Sequence, residues 1–228
     1  MRASGVPWTD QAIHFVDFEG SRASGILEFG IATVRSGSIE AARTRLCAPA
    51  GPIAAADAAV HGLAASRLRG HAPFSADWGL FAALRESGPF AAHYAGTENG
   101  LIKAVWPFAR PSPDFVRVGE RTVEWGPWID TARLYARFYP ALDSGRLESI
   151  VAATGLQGEL DRLAAAHCPP DRRRYHAALY DALAGALLLI AVAREPGCAA
   201  SLSIGHLLVL STLDPARRTA LTQPELFS

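Results

Sequence analysis

Two acidic residues stand in an otherwise apolar segment near the start of the sequence. Asp17 and Glu19 stand two residues apart in the strand that the apolar, β-rich run 12–18 predicts. On a strand, residues two apart project from the same face, so both carboxylates would leave one side of it. Desolvation and repulsion disfavour such a pair in a buried strand, and a divalent cation offsets both effects. The alternative is that the strand ends at Val16 and both acids are solvated.

A histidine and an acid mark the start of the longest apolar stretch. Asp181 interrupts the apolar residues of 177–193, where a carboxylate is out of place for core packing. His176 lies five residues earlier, an offset of about 140° on a regular helix. Both side chains can serve one site only if His176 precedes the regular helix, which the preceding Pro169-Pro170 pair allows. Taken alone, His176 is better explained as a surface or hydrogen-bonded histidine.

A third acid, Glu98, lies between a predicted strand, 90–94, and a predicted helix, 99–108. An acid at a helix N-terminus is favourable through the helix dipole, so a simple cap explains its position. Loops at strand ends are also where α/β sheets place ligand sites. The sequence leaves both explanations open.

The elements that must position these residues begin with three strands, 12–18, 26–34 and 39–46. Short Gly/Ser turns join them, a pattern that predicts an antiparallel meander. The other predicted elements are helices from about 54, over 74–85, 99–108, 130–139, 147–154 and 174–193, and within 194–212, with short strands at 90–94 and 128–129. A meander followed by alternating helices and strands predicts a mixed sheet flanked by helices, an α/β layered domain.

Composition excludes several classes of protein. The chain has 228 residues, 50% of them hydrophobic and 19% charged, which excludes a disordered polymer. Lys+Arg and Asp+Glu both number 22, so attraction to nucleic acid must come from a local patch. Three cysteines without a C-x-x-C pair favour reduced thiols in a cytoplasm over a disulfide framework or zinc finger. The longest apolar run, Ala182–Ala193, is too short to cross a bilayer, and no apolar stretch of signal-peptide length stands at the N-terminus.

Taken together, these candidate catalytic residues and their neighbours resemble the three motifs of the DEDDh 3′–5′ exonuclease superfamily, the group that includes proofreading exonucleases and ribonuclease T. The resemblance covers roughly 12–193, in the family's order. Its segments are Val16-Asp17-Phe18-Glu19-Gly20, Ala92-His93-Tyr94-Ala95 with Glu98 behind it, Tyr175-His176-Ala177-Ala178-Leu179-Tyr180-Asp181, Val60-His61-Gly62-Leu63 and Ile129-Asp130-Thr131. It implies a ribonuclease H-like mixed sheet, an antiparallel meander plus parallel strands, flanked by helices, with an exonuclease domain over 1–193 and a C-terminal helix and tail over 194–228.

The chain departs from the family pattern in two places. Gly20-Ser21-Arg22 stands where the family usually has Thr-Thr-Gly or similar, and Tyr94, Thr97 and Glu98 replace the Asn, Phe and Asp of the second motif. Glutamate keeps the charge of aspartate but is one methylene longer. The backbone must therefore retreat, or one metal ion is held more loosely.

The resemblance implies that Asp17, Glu19, Glu98 and Asp181 hold two Mg²⁺ or Mn²⁺ ions and that His176 is the general base. The expected activity is stepwise hydrolysis of a DNA 3′ end to nucleoside 5′-monophosphates, in replication or repair. His61, Gly62 and Leu63 would contact the terminal nucleotide. The arginines 172–174 would bind phosphate, Arg174 first among them, or form a solvated basic face.

The last residues, 222–228, contain a Gln-x-x-Leu-Phe segment in which Gln223, Leu226 and Phe227 resemble the peptide motif that docks bacterial proteins on the sliding clamp. The alternative is a tail that folds back on its own domain. Two other functions also stay open. One is a ribonuclease T-like exoribonuclease, and the other is an inactive nucleic-acid- or clamp-binding module, which the departures around Glu98 motivate.

Overall fold

The structure, a computed structural model, describes residues 7–117, 119–142, 144–195 and 202–212. Its strands are β1 Ile13–Ser21, β2 Gly25–Arg35, β3 Ser38–Leu46, β4 Phe90–Ala92, β5 Ser112–Pro113, β6 Arg121–Thr122 and β7 Ile129–Asp130. Its α-helices are α1 Ala55–His61, α2 Ala65–Leu68, α3 Trp78–Ser87, α4 Ala95–Val105, α5 Thr131–Phe138, α6 Leu147–Ala153, α7 Gln157–His167, α8 Ala178–Arg194 and α9 Ile204–Ser211. Short 3₁₀ turns occupy Phe74–Asp77 and Pro170–Arg172.

Five strands form one mixed sheet in the order β3-β2-β1-β4-β7. The first three strands pair antiparallel, whereas β1 pairs parallel with β4 and β4 pairs parallel with β7. The predicted meander and the predicted α/β class are therefore confirmed. Strands β5 and β6 form a separate two-stranded ribbon.

Helix α8 packs across β1 and β2, and Gly30 on β2 sets how closely it approaches. An added Cβ at Gly30 would overlap the backbone of Ala178 and Leu179 at the start of the helix. Gly30 is also the cross-strand partner of Asp17. The same close approach therefore brings the first turn of α8 beside the acids of β1.

We expect Gly30→Ala to lower the free energy of unfolding by about 3 kcal/mol, because helix and strand must separate to admit one methyl group. Urea unfolding measures the change. The matched control is Gly158→Ala in α7, where an added Cβ meets nothing within 4 Å. That variant should gain up to about 1 kcal/mol through helix propensity. Equal effects at the two positions would contradict the packing argument.

Several predicted boundaries were wrong. The helix predicted over 174–193 begins only at Ala178, because His176 takes a left-handed conformation with φ of 60°. The helix predicted over 99–108 runs from Ala95 to Val105, and the strand predicted over 90–94 ends at Ala92. Helix α7 was not predicted.

Two tryptophans lie in the core of the domain. Trp125 and Trp128 are buried in an aromatic cluster between the sheet and helix α3. Helix α9 packs against the sheet, where the side-chain oxygen of its Ser211 accepts a hydrogen bond from the backbone N–H of Asp130 in β7 at 2.8 Å. The division of the chain at residue 193 stays a prediction.

Among the described helices, none has both the length and the apolar character that a bilayer span requires.

Candidate active site

The acids of β1 lie at the edge of the sheet where two parallel strands end. Asp17 is half-buried and Glu19 is buried. Because Phe15 pairs with Ala91 near the end of β4, Asp17 lies at the level of the loop that follows that strand. The strand continues past Val16 to Ser21, so the alternative of a strand that ends at Val16 is wrong.

Glu98 reaches this edge from the first turn of α4. The helix starts directly after Tyr94, whose φ of 62° turns the chain sharply out of the strand. The side chain of Glu98 is only 5% exposed, and its Oε2 has no hydrogen-bond partner among the described residues. A simple helix cap would face solvent, so the burial of Glu98 favours a role in the site.

Asp181 and His176 come together because the chain bends before helix α8. Asp181 lies in the first turn of the helix, and its Oδ2 accepts a hydrogen bond from the backbone N–H of His176 at 3.0 Å. His176 itself is exposed and precedes the helix, which is the condition that the sequence set for a shared site. Glu19, His176 and Asp181 each offer one ligand atom, and these three atoms lie within 4.8 Å of one another.

Burial raises the pKa values of all four acids, and repulsion from neighbouring carboxylates adds to this increase. Burial raises the pKa of Asp17 well above its ordinary value, and Glu98, Asp181 and Glu19 add to this, in that order. The pKa of Glu19 rises to about 8, through burial first and Asp181 second. Burial likewise raises the pKa of Glu98 to about 8 and that of Asp181 to about 7. A protein that needed these groups only for folding would gain by replacing them with neutral residues.

The donor set fits divalent cations with a preference for oxygen. Oδ1 of Asp181 and Oε2 of Glu98 are buried acceptors without a donor among the described residues, an arrangement that costs free energy unless a cation binds them. Carboxylate oxygens are the ligands that Mg²⁺ and Mn²⁺ prefer. Of the residues predicted as metal ligands, Glu19 and Asp181 belong to the group within 4.8 Å, whereas Asp17 and Glu98 are linked to them by electrostatic repulsion. We call Asp17, Glu19, Glu98 and Asp181 the acidic cluster.

Comparison with known proteins gave matches at the level of structure. No family model and no curated protein sequence matches the chain. Exonuclease X, solved in complex with 5′-overhanging duplex DNA, matches with a TM-score of 0.63 at 20% identity, over 88% of this chain and 99% of that one. The two chains share one fold. The ribonuclease H-like architecture predicted from the resemblance is thus confirmed.

Two further structures have the same fold. E. coli exonuclease I in complex with a dT13 oligonucleotide matches with a TM-score of 0.56 at 13% identity, over 81% of this chain and 41% of that one. The nuclease domain of 3′hExo, a DEDDh family member bound to rAMP, matches with a TM-score of 0.54 at 14% identity, over 85% of this chain and 96% of that one.

Within this fold, the predicted substrate-binding turn follows helix α1. Gly62 ends the helix with φ of 72°, and Nδ1 of His61 accepts a hydrogen bond from the N–H of Leu63 at 3.0 Å. Nε2 of His61 therefore carries the proton, and it is buried without a partner among the described residues. Leu63 is fully buried against Leu27 and Leu68, so its side chain anchors the turn and presents no surface to a ligand.

The three neighbouring arginines have separate roles, which corrects the prediction that all three bind phosphate or form one solvated face. Arg172 is buried and paired with Glu28. Arg173 donates to the carbonyl groups of Cys168 and Ala165 and so caps the end of α7. Arg174 is exposed beside the turn, where it donates to the carbonyl O of His61 at 3.1 Å.

Sequence reasoning missed Glu28, although the signal that found Asp17 was also present there. Glu28 lies on the apolar strand β2, opposite Glu19, and is 2% exposed. It raises the pKa values of Asp17, Glu19 and Asp181, though in each case less than burial does. A carboxylate in a strand that is buried along nearly its whole length needs a compensating positive charge, and Arg172 supplies that charge.

Proposed function

We propose that this protein is a divalent-metal-dependent 3′–5′ exonuclease that acts on nucleic acid, with DNA as the favoured substrate. The observation that carries the proposal is the meeting of four carboxylates from β1, α4 and α8 beside His176. The neighbours of the same fold support it, since they are exonucleases solved with DNA or with rAMP.

The acidic cluster would hold two Mg²⁺ or Mn²⁺ ions. The family pattern that the sequence resembles implies that all four carboxylates would take part in holding these ions. Bound there, the ions would supply positive charge to the scissile phosphate, the attacking water and the leaving oxygen. Glu98 is longer than the aspartate of the family, and its buried, unpartnered Oε2 supports a ligand role for it.

His176 would act as the general base. Its backbone N–H is fixed on Asp181, and its exposed ring is free to meet a substrate at the edge of the sheet. As a water oxygen bonds to phosphorus, the imidazole takes the water proton and the P–O3′ bond breaks. The O3′ atom stays with the shortened strand and takes up a proton, and the terminal nucleotide leaves as a 5′-monophosphate.

The terminal nucleotide would be bound by the turn at His61 and Gly62 and by Arg174. Gly62 is exposed, and Arg174 offers a positive charge for a phosphate. His61 is buried and fixes the turn through its hydrogen bond with Leu63. Leu63 contributes by anchoring the turn in the core, where it packs against Leu27 and Leu68.

The assay uses the purified protein with 5′-labelled single strands of DNA and RNA of one sequence, with Mn²⁺ or with EDTA. We expect a ladder of products that shortens from the 3′ end, release of nucleoside 5′-monophosphates, and no reaction in EDTA. Faster loss of RNA than of DNA would favour the exoribonuclease alternative. Intact substrates in Mn²⁺ would refute the nuclease and leave the binding module as the remaining function.

We further propose that residues 223–228 dock the enzyme on a bacterial sliding clamp and thereby place it in DNA replication or repair. These residues lie outside the described part of the chain, so the proposal rests on the sequence of Gln223, Leu226 and Phe227 alone. Deletion of 223–228 should abolish binding to the clamp, measured by surface plasmon resonance, and spare hydrolysis of short strands. Unchanged clamp binding would reject the motif.

A further inference from the structure

The buried guanidinium of Arg172 joins three parts of the chain. Arg172 ends the 3₁₀ turn before helix α8 and is 3% exposed. Its Nε and one terminal nitrogen donate to the two carboxylate oxygens of Glu28 on β2, which is a bidentate ion pair. The remaining donors reach the carbonyl O of His61 at 2.6 Å and the carbonyl O of His176 at 3.1 Å.

Glu28 extends the same connection to helix α8. Its Oε2 also accepts the backbone N–H of Ala178, the first residue of the helix, at 3.2 Å. The ion pair therefore contacts three places: the turn at His61, the backbone of His176 and the start of helix α8, which carries Asp181.

This connection bears on His176 in particular. Its φ of 60° is a backbone conformation that residues other than glycine seldom adopt. The backbone of the residue is held on both sides, by its N–H on Asp181 and by its C=O on Arg172. Among the described residues, Arg172 is the donor that holds that carbonyl group.

We propose that Glu28 and Arg172 form a positioning pair that sets the general base His176 and the turn at His61 in register with each other. The inference rests on the proposed function. The planar guanidinium fork is what reaches a carboxylate and two carbonyl groups at once, and a lysine in its place offers a single point charge. Neither side chain is expected to touch the substrate.

Stability and positioning can be separated because a buried ion pair is poor evidence for stability. Replacing both partners of such a pair by apolar residues often leaves stability unchanged or raises it. The decisive variant is therefore Glu28→Leu together with Arg172→Met. We expect it to unfold within about 5 °C of the wild type and to lose about 100-fold in kcat, since a small misplacement of a catalytic group costs this much.

The measurements are thermal unfolding, calorimetric titration with Mn²⁺, and kcat and KM on a single-stranded 3′ end. Mn²⁺ affinity should stay within about threefold because the acidic cluster is intact, whereas kcat should fall and KM should rise as base and turn lose register. Where the double variant does not fold, Arg172→Lys, assayed well below its unfolding temperature, carries the same expectation.

The matched control is another buried arginine, Arg85, which donates to the backbone carbonyl groups of Pro113, Glu124, Trp125 and Gly126 and to none in the site. Arg85→Lys should lower the unfolding temperature and keep kcat within about threefold.

Two outcomes are distinct. The positioning pair alone is overturned if the folded double variant keeps kcat and KM within about threefold of an active wild type. Where the double variant does not fold, the same result for folded Arg172→Lys overturns it. A wild-type chain that hydrolyses no 3′ end in Mn²⁺ overturns the proposed function and the inference with it.

Discussion

Asp17→Asn is expected to lose about a thousandfold or more in kcat and, in EDTA, to unfold at a higher temperature than the wild type. The loss follows from the central place of Asp17 in the acidic cluster, where it interacts with Glu98, Asp181 and Glu19. The gain follows from the same position. A neutral amide of the same shape removes one buried carboxylate and its repulsion with the other three, at little cost in packing.

The two halves of this prediction need separate measurements on the same protein. Hydrolysis of a labelled 3′ end gives kcat, and calorimetric unfolding in EDTA gives stability. The matched control is Glu40→Gln, which removes an exposed carboxylate paired with Arg35 at the surface and should change neither quantity much. A less stable and inactive Asp17→Asn would show that Asp17 serves the fold, and an active one would remove it from the chemistry.

The sequence pointed to three of the four acids because each of them violates a local rule, whereas Glu98 was assigned to the site through the family resemblance alone. Asp17 and Glu19 stand on a strand and Asp181 on a helix that are otherwise apolar, and such positions demand a compensating charge or cation. The meander was equally accessible, since alternation and Gly/Ser turns are local signals. Prediction at these places needed only neighbours a few residues apart.

Other features depend on partners far along the chain, so no local pattern contains them. The left-handed conformation of His176 is held by Arg172, and Arg172 is held in turn by Glu28, 144 residues away. Helix α7 buries only Leu160 and Ala164, too small an apolar face to stand out in the sequence. The early start of α4 depends on the turn at Tyr94, whose backbone N–H donates to Asp130 from another strand.

The stability of the metal-free protein should fall as the pH rises from 6.5 to 8. Burial and repulsion raise the pKa values of Glu19 and Glu98 to about 8 and that of Asp181 to about 7. In this window the folded state therefore holds protons that the unfolded state has already released. By linkage, the stabilisation is fully present below the unfolded pKa values and is lost as the pH passes through the folded ones, a loss on the order of 2–4 kcal/mol.

The window is chosen because the opposing contribution of the other shifted groups becomes small within it. Burial lowers the pKa of His14 to about 4, and it also lowers the pKa values of His61 and His93. These imidazoles bind fewer protons in the folded state below pH 6.5, so they make stability rise with pH there and obscure the acids. From pH 6.5 upward the unfolded imidazoles lose their remaining protons, so this opposing contribution fades by about pH 8 and the carboxylates dominate the slope.

Urea unfolding at several pH values, in EDTA and in Mn²⁺, measures this effect. Mn²⁺ binds ionised carboxylates and competes with protons for them, so its stabilisation should grow with pH and cancel or reverse the EDTA slope. In Asp17→Asn the EDTA slope should be shallower, because one repelling charge is gone. An EDTA profile that is flat or rises between pH 6.5 and 8 would mean that the four carboxylates are not crowded together in the folded chain, and the proposed metal site would lose its physical basis.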